Sequence, residues 1–446
     1  MNKLLKYAML YAAASTLSMS FTACSSDDDN NSSDDGFNIV TTTPVVDQDT
    51  YTANTSNYKD KSFGETAIDN CATLVNELAA ANQAIASSNL SAEQEAYLYK
   101  VLENIVDKVI VPTYTSLADN TEALEKTLNG LTSSTITQAQ INTACEEFKA
   151  ARQYWERSEA FMMGAASDFD VDPTIDSWPL NRTLLVNYFK NGMNDDMLDD
   201  ATILGFHALE FILFRNGQPR KVAEFQGNDT YKNFENITGA QELKYAQTIC
   251  TLLKQRCFQL QVAWEGETTG NASRVAVVKA AKDNNNNSLK YTTSNGLSFG
   301  ENLKKAGVSG SKSTFTTLKA AIAQVLSDDE GSCVGICNEV GTAKIANPFA
   351  NGDVSYVESP YSYNSIADFR DNIRSIRNIW LGSTDKTANT YSFHTFFASV
   401  NKASVNSSIE NGYVKAIEAI SSMPSPFVKY CCTIWNIAFE DDEDWD

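Results

Sequence analysis

Only two histidines occur in the 446 residues, His207 and His394, so any imidazole chemistry rests on them. His207 stands in Ile203-Leu204-Gly205-Phe206-His207-Ala208-Leu209-Glu210-Phe211-Ile212-Leu213-Phe214, where it and Glu210 are the only ionisable groups. A helix that is apolar nearly all round is expected to be buried, and residues three apart share one side of it. A neutral imidazole and a carboxylate at that spacing can hold one metal ion, as in carboxylate-bridged iron bundles. The competing reading is a core histidine satisfied by the glutamate alone. Glu159 is the next candidate. It closes a stripe of Ile141, Cys145, Phe148, Arg152, Trp155, Glu159 and Met162, alternately four and three residues apart, like one packed face of a helix. A carboxylate on such a face is costly unless it is paired or binds a metal. Arg152, or an arginine from another helix, is the plain alternative partner.

The histidine count narrows the chemistry further. A three-histidine zinc site cannot form within one chain, and H-E-x-x-H is absent. The reversed zinc-protease order also fails, because Phe211 follows Glu210. A metal site here must be mostly carboxylate, which suits iron or manganese better than a zinc hydrolase centre. Glu159 and Glu210 as a glycosidase-like acid pair would need a separation that spacing cannot supply. There is no phosphate-binding G-x-x-x-x-G-K-[ST] loop and no G-x-G-x-x-G. His394, in Ser392-Phe393-His394-Thr395-Phe396-Phe397, has no acidic neighbour in sequence and reads as structural.

The elements that must position these residues read as helices almost throughout. Ser91-x-x-Gln94 is a capping box whose helix should stop at Pro112. Thr137-x-x-Gln140 opens a helix expected to reach Gly164, and Thr238-x-x-Gln241 one reaching about Trp264. Further helices are expected over 202–215, 314–326, 365–381, 405–421 and 427–439, with a loop-rich region over 266–312 holding Asn284-Asn285-Asn286-Asn287. Strand alternation is scarce, so the fold class is all-α, built as helical bundles. Residues 148–164 and 366–382 are both arginine-bearing amphipathic segments ending in two large apolar residues and glycine. This resemblance fits duplication and chance equally well. The expected division is an N-terminal bundle over 58–237, a C-terminal bundle over 238–439, and an acidic tail over 440–446.

The chain carries 35 Lys+Arg against 56 Asp+Glu, a net charge of −21. Such a body repels phosphate backbones and anionic membrane surfaces, so nucleic-acid binding is not expected and membrane attachment needs a covalent anchor. Residues 1–6 form a short basic start, 8–21 a mostly apolar run, and Phe21-Thr22-Ala23-Cys24 closes it. That is an export signal rather than a membrane span. It resembles a bacterial lipoprotein signal over 1–23, with Cys24 as the lipidated first residue, although Phe21 is unusual there. Ser25-Ser26-Asp27-Asp28-Asp29 resembles a serine–acidic surface-export tag, which favours the cell surface slightly over the periplasmic face of the outer membrane. Residues 24–57 read as a flexible acidic tether. Eight further cysteines would sit in a disulfide-permissive setting. Cys250 and Cys257 are too far apart along one helix to bond, Cys333 and Cys337 are close enough to close locally, and Cys71 and Cys145 read as buried thiols.

On three motifs the chain resembles the imelysin family, the peptidase M75 group of exported bacterial proteins. They are Gly205-x-His207-x-x-Glu210, Trp155-x-x-x-Glu159-x-Phe161-x-x-Gly164, and Ile175-Asp176-Ser177-Trp178-Pro179 between them. The resemblance implies two helical bundle-like domains with a site near their junction containing Glu159, His207 and Glu210, and Asp176 as ligand or orienter. Tyr361-Ser362-Tyr363-Asn364-Ser365 and Asp368 look like family-type residues facing the junction. It also implies a tie to iron uptake, so the expected cargo is a metal ion, iron before zinc, or an iron-bearing ligand, in an iron-transport component. A metallopeptidase using His207 and Glu210 is the alternative, and a surface interaction protein with no metal is the third reading.

Overall fold

Side-chain caps at Ser91, Thr137 and Thr238 open three of the long helices of the computed structural model. The model describes residues 37–436 apart from Asp49, Asn284, Asn285 and Asp329, with only the backbone described at Asp195 and Asp196. The leader with Cys24, the serine–acidic stretch and the acidic tail lie outside the described residues. Helix α1 spans Ser62–Ala86. Ser91 and Gln94 cap α2, Ala92–Ile105, reciprocally. A wide π turn over Val106–Ile110 then leads without a break into α3, Val111–Asn129. The helix expected to stop at Pro112 therefore continues. Pro112 falls at the start of α3, directly after the π turn, where the wider turn accommodates a residue with no N–H to donate.

Thr137 and Gln140 cap α4, Gln138–Glu156, which ends short of the expected Gly164. Its continuation is replaced by tertiary bonds. Ser158 Oγ donates back to Trp155 O at 2.7 Å, Arg157 Nε donates to Asp371 at 2.8 Å, and Ala160 N donates to Ser375 Oγ at 3.1 Å. Next come α5, Gly205–Leu213, and α6, Gly239–Glu265, the latter boxed by Thr238 and Gln241. The C-terminal half contributes α7, Cys333–Glu339, a second π segment, Val340–Ala346, and α8, Ser365–Leu381. It closes with α9, Phe393–Ser399, α10, Ala403–Ser422, and α11, Phe427–Trp435. Among the described residues the only sheet is the hairpin of Phe214–Arg215 and Gln218–Pro219, so the chain is all-α.

Two groups of helices carry the core. In one, α3 packs on α4 and α6, and α5 lies against α6 and α4; in the other, α1 packs on α10 and α7, and α8 on α10. The packing crosses the expected boundary at 237/238 both ways, since α6 joins the first group and α1 the second. Where α4 meets α8, the two groups share the buried face described below. Trp155 and Trp380 are among the largest fully buried side chains. No helix of the described residues is long and apolar enough to cross a membrane.

Residues 38–57 do not run free as the expected tether would. Asp47 is 2% exposed and pairs with Arg374, Nε at 2.9 Å, and with Arg377. Thr42 Oγ1 meets His394 Nε2 at 2.6 Å, and Asn54 bridges to Pro424. Arg374 also meets Asp371 at 3.3 Å, but Arg377 of α8 takes its carboxylate from Asp47, which gives this segment a reason to dock. His394 also bonds Glu410, which confirms a structural role. All eight described cysteines are buried thiols outside any disulfide, and Cys333 and Cys337 fall on α7 instead of in a loop.

Candidate metal centre

The motif glycine sets the register of the site. Gly205 starts α5 at φ +74°, and a Cβ there would come within 2.0 Å of Ile175 O. Only glycine allows both the left-handed backbone and this approach. The contact brings the short helix Asp172–Asp176 against the start of α5, so Asp176 faces His207. His207 Nε2 lies 3.0 Å from Asp176 Oδ1, without the alignment of a hydrogen bond, and Trp178 packs on the imidazole at 4.5 Å between ring centroids.

Behind the ring, Nδ1 faces Glu210 Oε2 at 3.5 Å. Glu210 Oε1 accepts from Tyr361 N at 3.1 Å, Ser362 N at 2.7 Å and Ser362 Oγ at 2.6 Å. Glu210 thus ties the histidine to the 358–363 loop. On the other side Trp155 Nε1 donates to Asp176 Oδ2 at 2.9 Å, and Arg152 pairs with Asp176, Glu156 and Glu358. Asp368 Oδ2 stands 3.7 Å from Arg152 Nε and accepts from Ser359 Oγ. Glu159 lies on a 3-10 turn after α4, with Lys344 Nζ at 3.8 Å. Lys344 Nζ is also 3.0 Å from Glu358 and 3.9 Å from Glu156.

Two sets of ligand atoms lie within 4.8 Å of one another: Asp176, His207 and Glu358, and Glu156, Glu159 and Asp176. Of the four residues expected in the site, Asp176 belongs to both sets, His207 to the first and Glu159 to the second. Glu210 belongs to neither, although the same pocket holds it.

Six carboxylates, from Glu156, Glu159, Asp176, Glu210, Glu358 and Asp368, are all buried here with two permanent cations, Arg152 and Lys344. Burial pushes Glu156 and Glu159 well above the usual carboxylate range, restrained only in part by Arg152 and then Lys344 at Glu156 and by Lys344 at Glu159. Burial likewise pushes Asp368 up to about 6 against the pull of Arg152. At Asp176 burial is outweighed by Arg152 and His207, which hold the carboxyl well below its usual range; Lys344 and Arg152 do the same, more mildly, for Glu358. Burial lowers His207, but the Asp176 carboxylate more than restores it, so the ring holds its proton more tightly than usual. The site is therefore rich in oxygen donors, and its charged atoms meet at ion-pair distances: His207 Nε2 3.0 Å from Asp176, Glu210 Oε2 3.5 Å from His207 Nδ1, and Glu156 Oε1 2.6 Å from Arg152. This donor set fits a hard cation held by carboxylates and one imidazole.

Several participants were not singled out from sequence. Glu156 sits one turn beyond Arg152, so its i, i+4 spacing was available as a signal. Glu358 and Lys344 come from a loop and a π segment, and nothing local marks them. Gly296-Leu297-Ser298-Phe299-Gly300 has the G-x-S-x-G spacing of a hydrolase elbow. Its serine caps the helix Phe299–Lys304 instead, accepting from Glu301 N at 3.1 Å, and both histidines are engaged elsewhere.

Comparison with known proteins follows the same residues. The model of the imelysin family, peptidase M75, matches residues 110–442. Iron-regulated protein A of Synechococcus elongatus is 23% identical over 283 residues, which cover 64% of this chain and 64% of that protein's length. A solved structure from Parabacteroides distasonis, assigned as an iron-regulated protein A precursor, superposes with TM-score 0.55 at 23% identity. It covers 78% of this chain and 96% of its own, and shows a shared fold.

Proposed function

The chain belongs to the imelysin family, and from that premise we propose that it captures one metal ion, iron first, at Asp176, His207 and Glu358. Glu210 acts here as the carboxylate that orients the imidazole through Nδ1 and leaves Nε2 for the cation. The observation that carries this reading is the buried group of Asp176, His207 and Glu358, whose ligand atoms lie within 4.8 Å of one another in a cluster whose carboxyl groups outnumber its permanent cations. With so few cations nearby, burial holds Glu156 and Glu159 in their protonated forms, and a bound cation would favour the carboxylates instead. The iron preference draws support from the name of the Synechococcus relative. The physiological setting proposed is an outer-membrane lipoprotein anchored through Cys24, facing the cell surface, that delivers its cargo to iron uptake.

Calorimetric titration of the signal-free protein with ferrous, ferric, manganous and zinc ions tests this, beside His207→Gln/Asp176→Asn of confirmed fold. Saturable binding by the wild type, strongest for iron and lost in the variant, is the expected result. Equal heats from both proteins would overturn it. Binding strongest for zinc, with chelator-sensitive peptide cleavage, would favour a metallopeptidase instead.

A further inference from the structure

Lys344 is an unusual occupant of this cluster. Among the described residues it is the only buried lysine, and it is held on the π segment Val340–Ala346 rather than on a regular helix. Its Nζ lies within 4 Å of carboxylates from Glu358, Glu156 and Glu159. Two of those three, Glu156 and Glu159, belong to the second set of ligand atoms, which shares Asp176 with the set containing His207. Two ligand sets joined by one carboxylate make the arrangement of a two-metal centre, yet one side of it already faces an ammonium group. Glu156 spans both cations, with Oε1 2.6 Å from Arg152 Nη2 and Oε2 3.9 Å from Lys344 Nζ, whereas the cation that Glu159 faces is Lys344, at 3.8 Å. Lysine is suited to the place because its charge is a compact point on a flexible stem, unlike the planar fork of Arg152.

We propose that Lys344 is a tethered cation that occupies the Glu156–Glu159 side of the centre and limits the chain to one bound metal ion. The inference rests on the metal-capture reading above and specifies how many ions the site takes. Removing the ammonium leaves Glu156, Glu159 and the shared Asp176 with Arg152 as the one permanent cation in the cluster, and a second divalent ion then replaces the lost charge.

Equilibrium dialysis against manganous ion, followed by metal analysis, counts the ions per chain in wild type, Lys344→Gln and Lys344→Arg, with circular dichroism to confirm the fold. One ion is expected in wild type and in Lys344→Arg. Two are expected in Lys344→Gln, with an exchange-coupled electron paramagnetic resonance spectrum because Asp176 is common to both positions. If Lys344→Gln unfolds when metal-free, recovery of the fold with two manganese ions supports the proposal, and recovery with one ion or none overturns it. A folded Lys344→Gln protein that still holds one ion, beside wild type with one, refutes the role of Lys344 alone. Wild type that retains no manganese refutes the metal-capture reading, and the role of Lys344 falls with it.

Discussion

Asp176 Oδ1 stands 3.0 Å from His207 Nε2, while the other oxygen of the same carboxylate accepts from Trp155 Nε1 at 2.9 Å. One carboxylate therefore links α4, the short helix Asp172–Asp176 and the histidine. Its position rests on a backbone contact as well as on side-chain bonds from Trp155 and Arg152, since the Asp172–Asp176 helix reaches α5 through the close approach of Ile175 O to Gly205.

Gly205→Ala should break that contact. The new methyl group would meet Ile175 O at 2.0 Å at a backbone φ of +74°. A loss of about 3 kcal/mol is expected, with metal binding lost as Asp176 moves away from His207. Gly192→Ala is the control. Its φ of +77° is similar, but nothing lies within 4 Å of the new atom, so it should cost about 1 kcal/mol. Thermal melts of both variants compare the two costs, and equal losses would refute the steric account.

Glu210 should act through the histidine and the loop. Glu210→Ala strips the acceptor from Tyr361 N, Ser362 N and Ser362 Oγ, and a loss of about 3 kcal/mol in denaturant unfolding is expected. Glu210→Gln keeps an oxygen for those donors and should unfold much closer to wild type. Its metal affinity should still fall about 10- to 100-fold, because Nδ1 has lost its carboxylate. Wild-type affinity in Glu210→Gln would show that the carboxylate does not orient the ring.

Metal-free protein should lose stability as pH rises from about 5 to 7. Glu156, Glu159 and Asp368 have folded-state pKa values raised above their unfolded ones, so the fold holds protons that the unfolded chain has released. Stability from such groups is present below the unfolded pKa and declines as pH passes the folded one, which for Asp368 is about 6. Asp176 and Glu358 are lowered and have the opposite sign, but their contribution is complete once pH exceeds the ordinary carboxylate range. Raised His207 adds to the decline at the upper end. Melting temperature should therefore fall across this window in chelator, and less so with manganese present. A flat or rising profile in chelator would contradict these shifts.

Asp47→Asn should release the 38–57 segment. The carboxylate neutralises Arg374 and Arg377, both buried, and removing one partner of such a network typically costs about 3–5 kcal/mol. Limited proteolysis should cut the variant within 38–57 while wild type resists. Equal resistance would mean that Thr42 and Asn54 hold the segment without it.

Much of this protein was determined locally. The capping boxes at Ser91, Thr137 and Thr238 start their helices where the pattern says, because a cap depends only on residues three apart. The apolar run around His207 and Glu210 is buried, as a helix without a polar face requires. Tertiary structure decided the rest. It ended α4 at Glu156, because α8 supplies Asp371 and Ser375 as partners that outcompete a further helical turn, and this turned Glu159 toward Lys344. It also brought Glu358 and Lys344, from a loop and a π segment, to residues far away in sequence. No local rule could place them, since a buried charge is stabilised by whichever opposite charge folding brings near it.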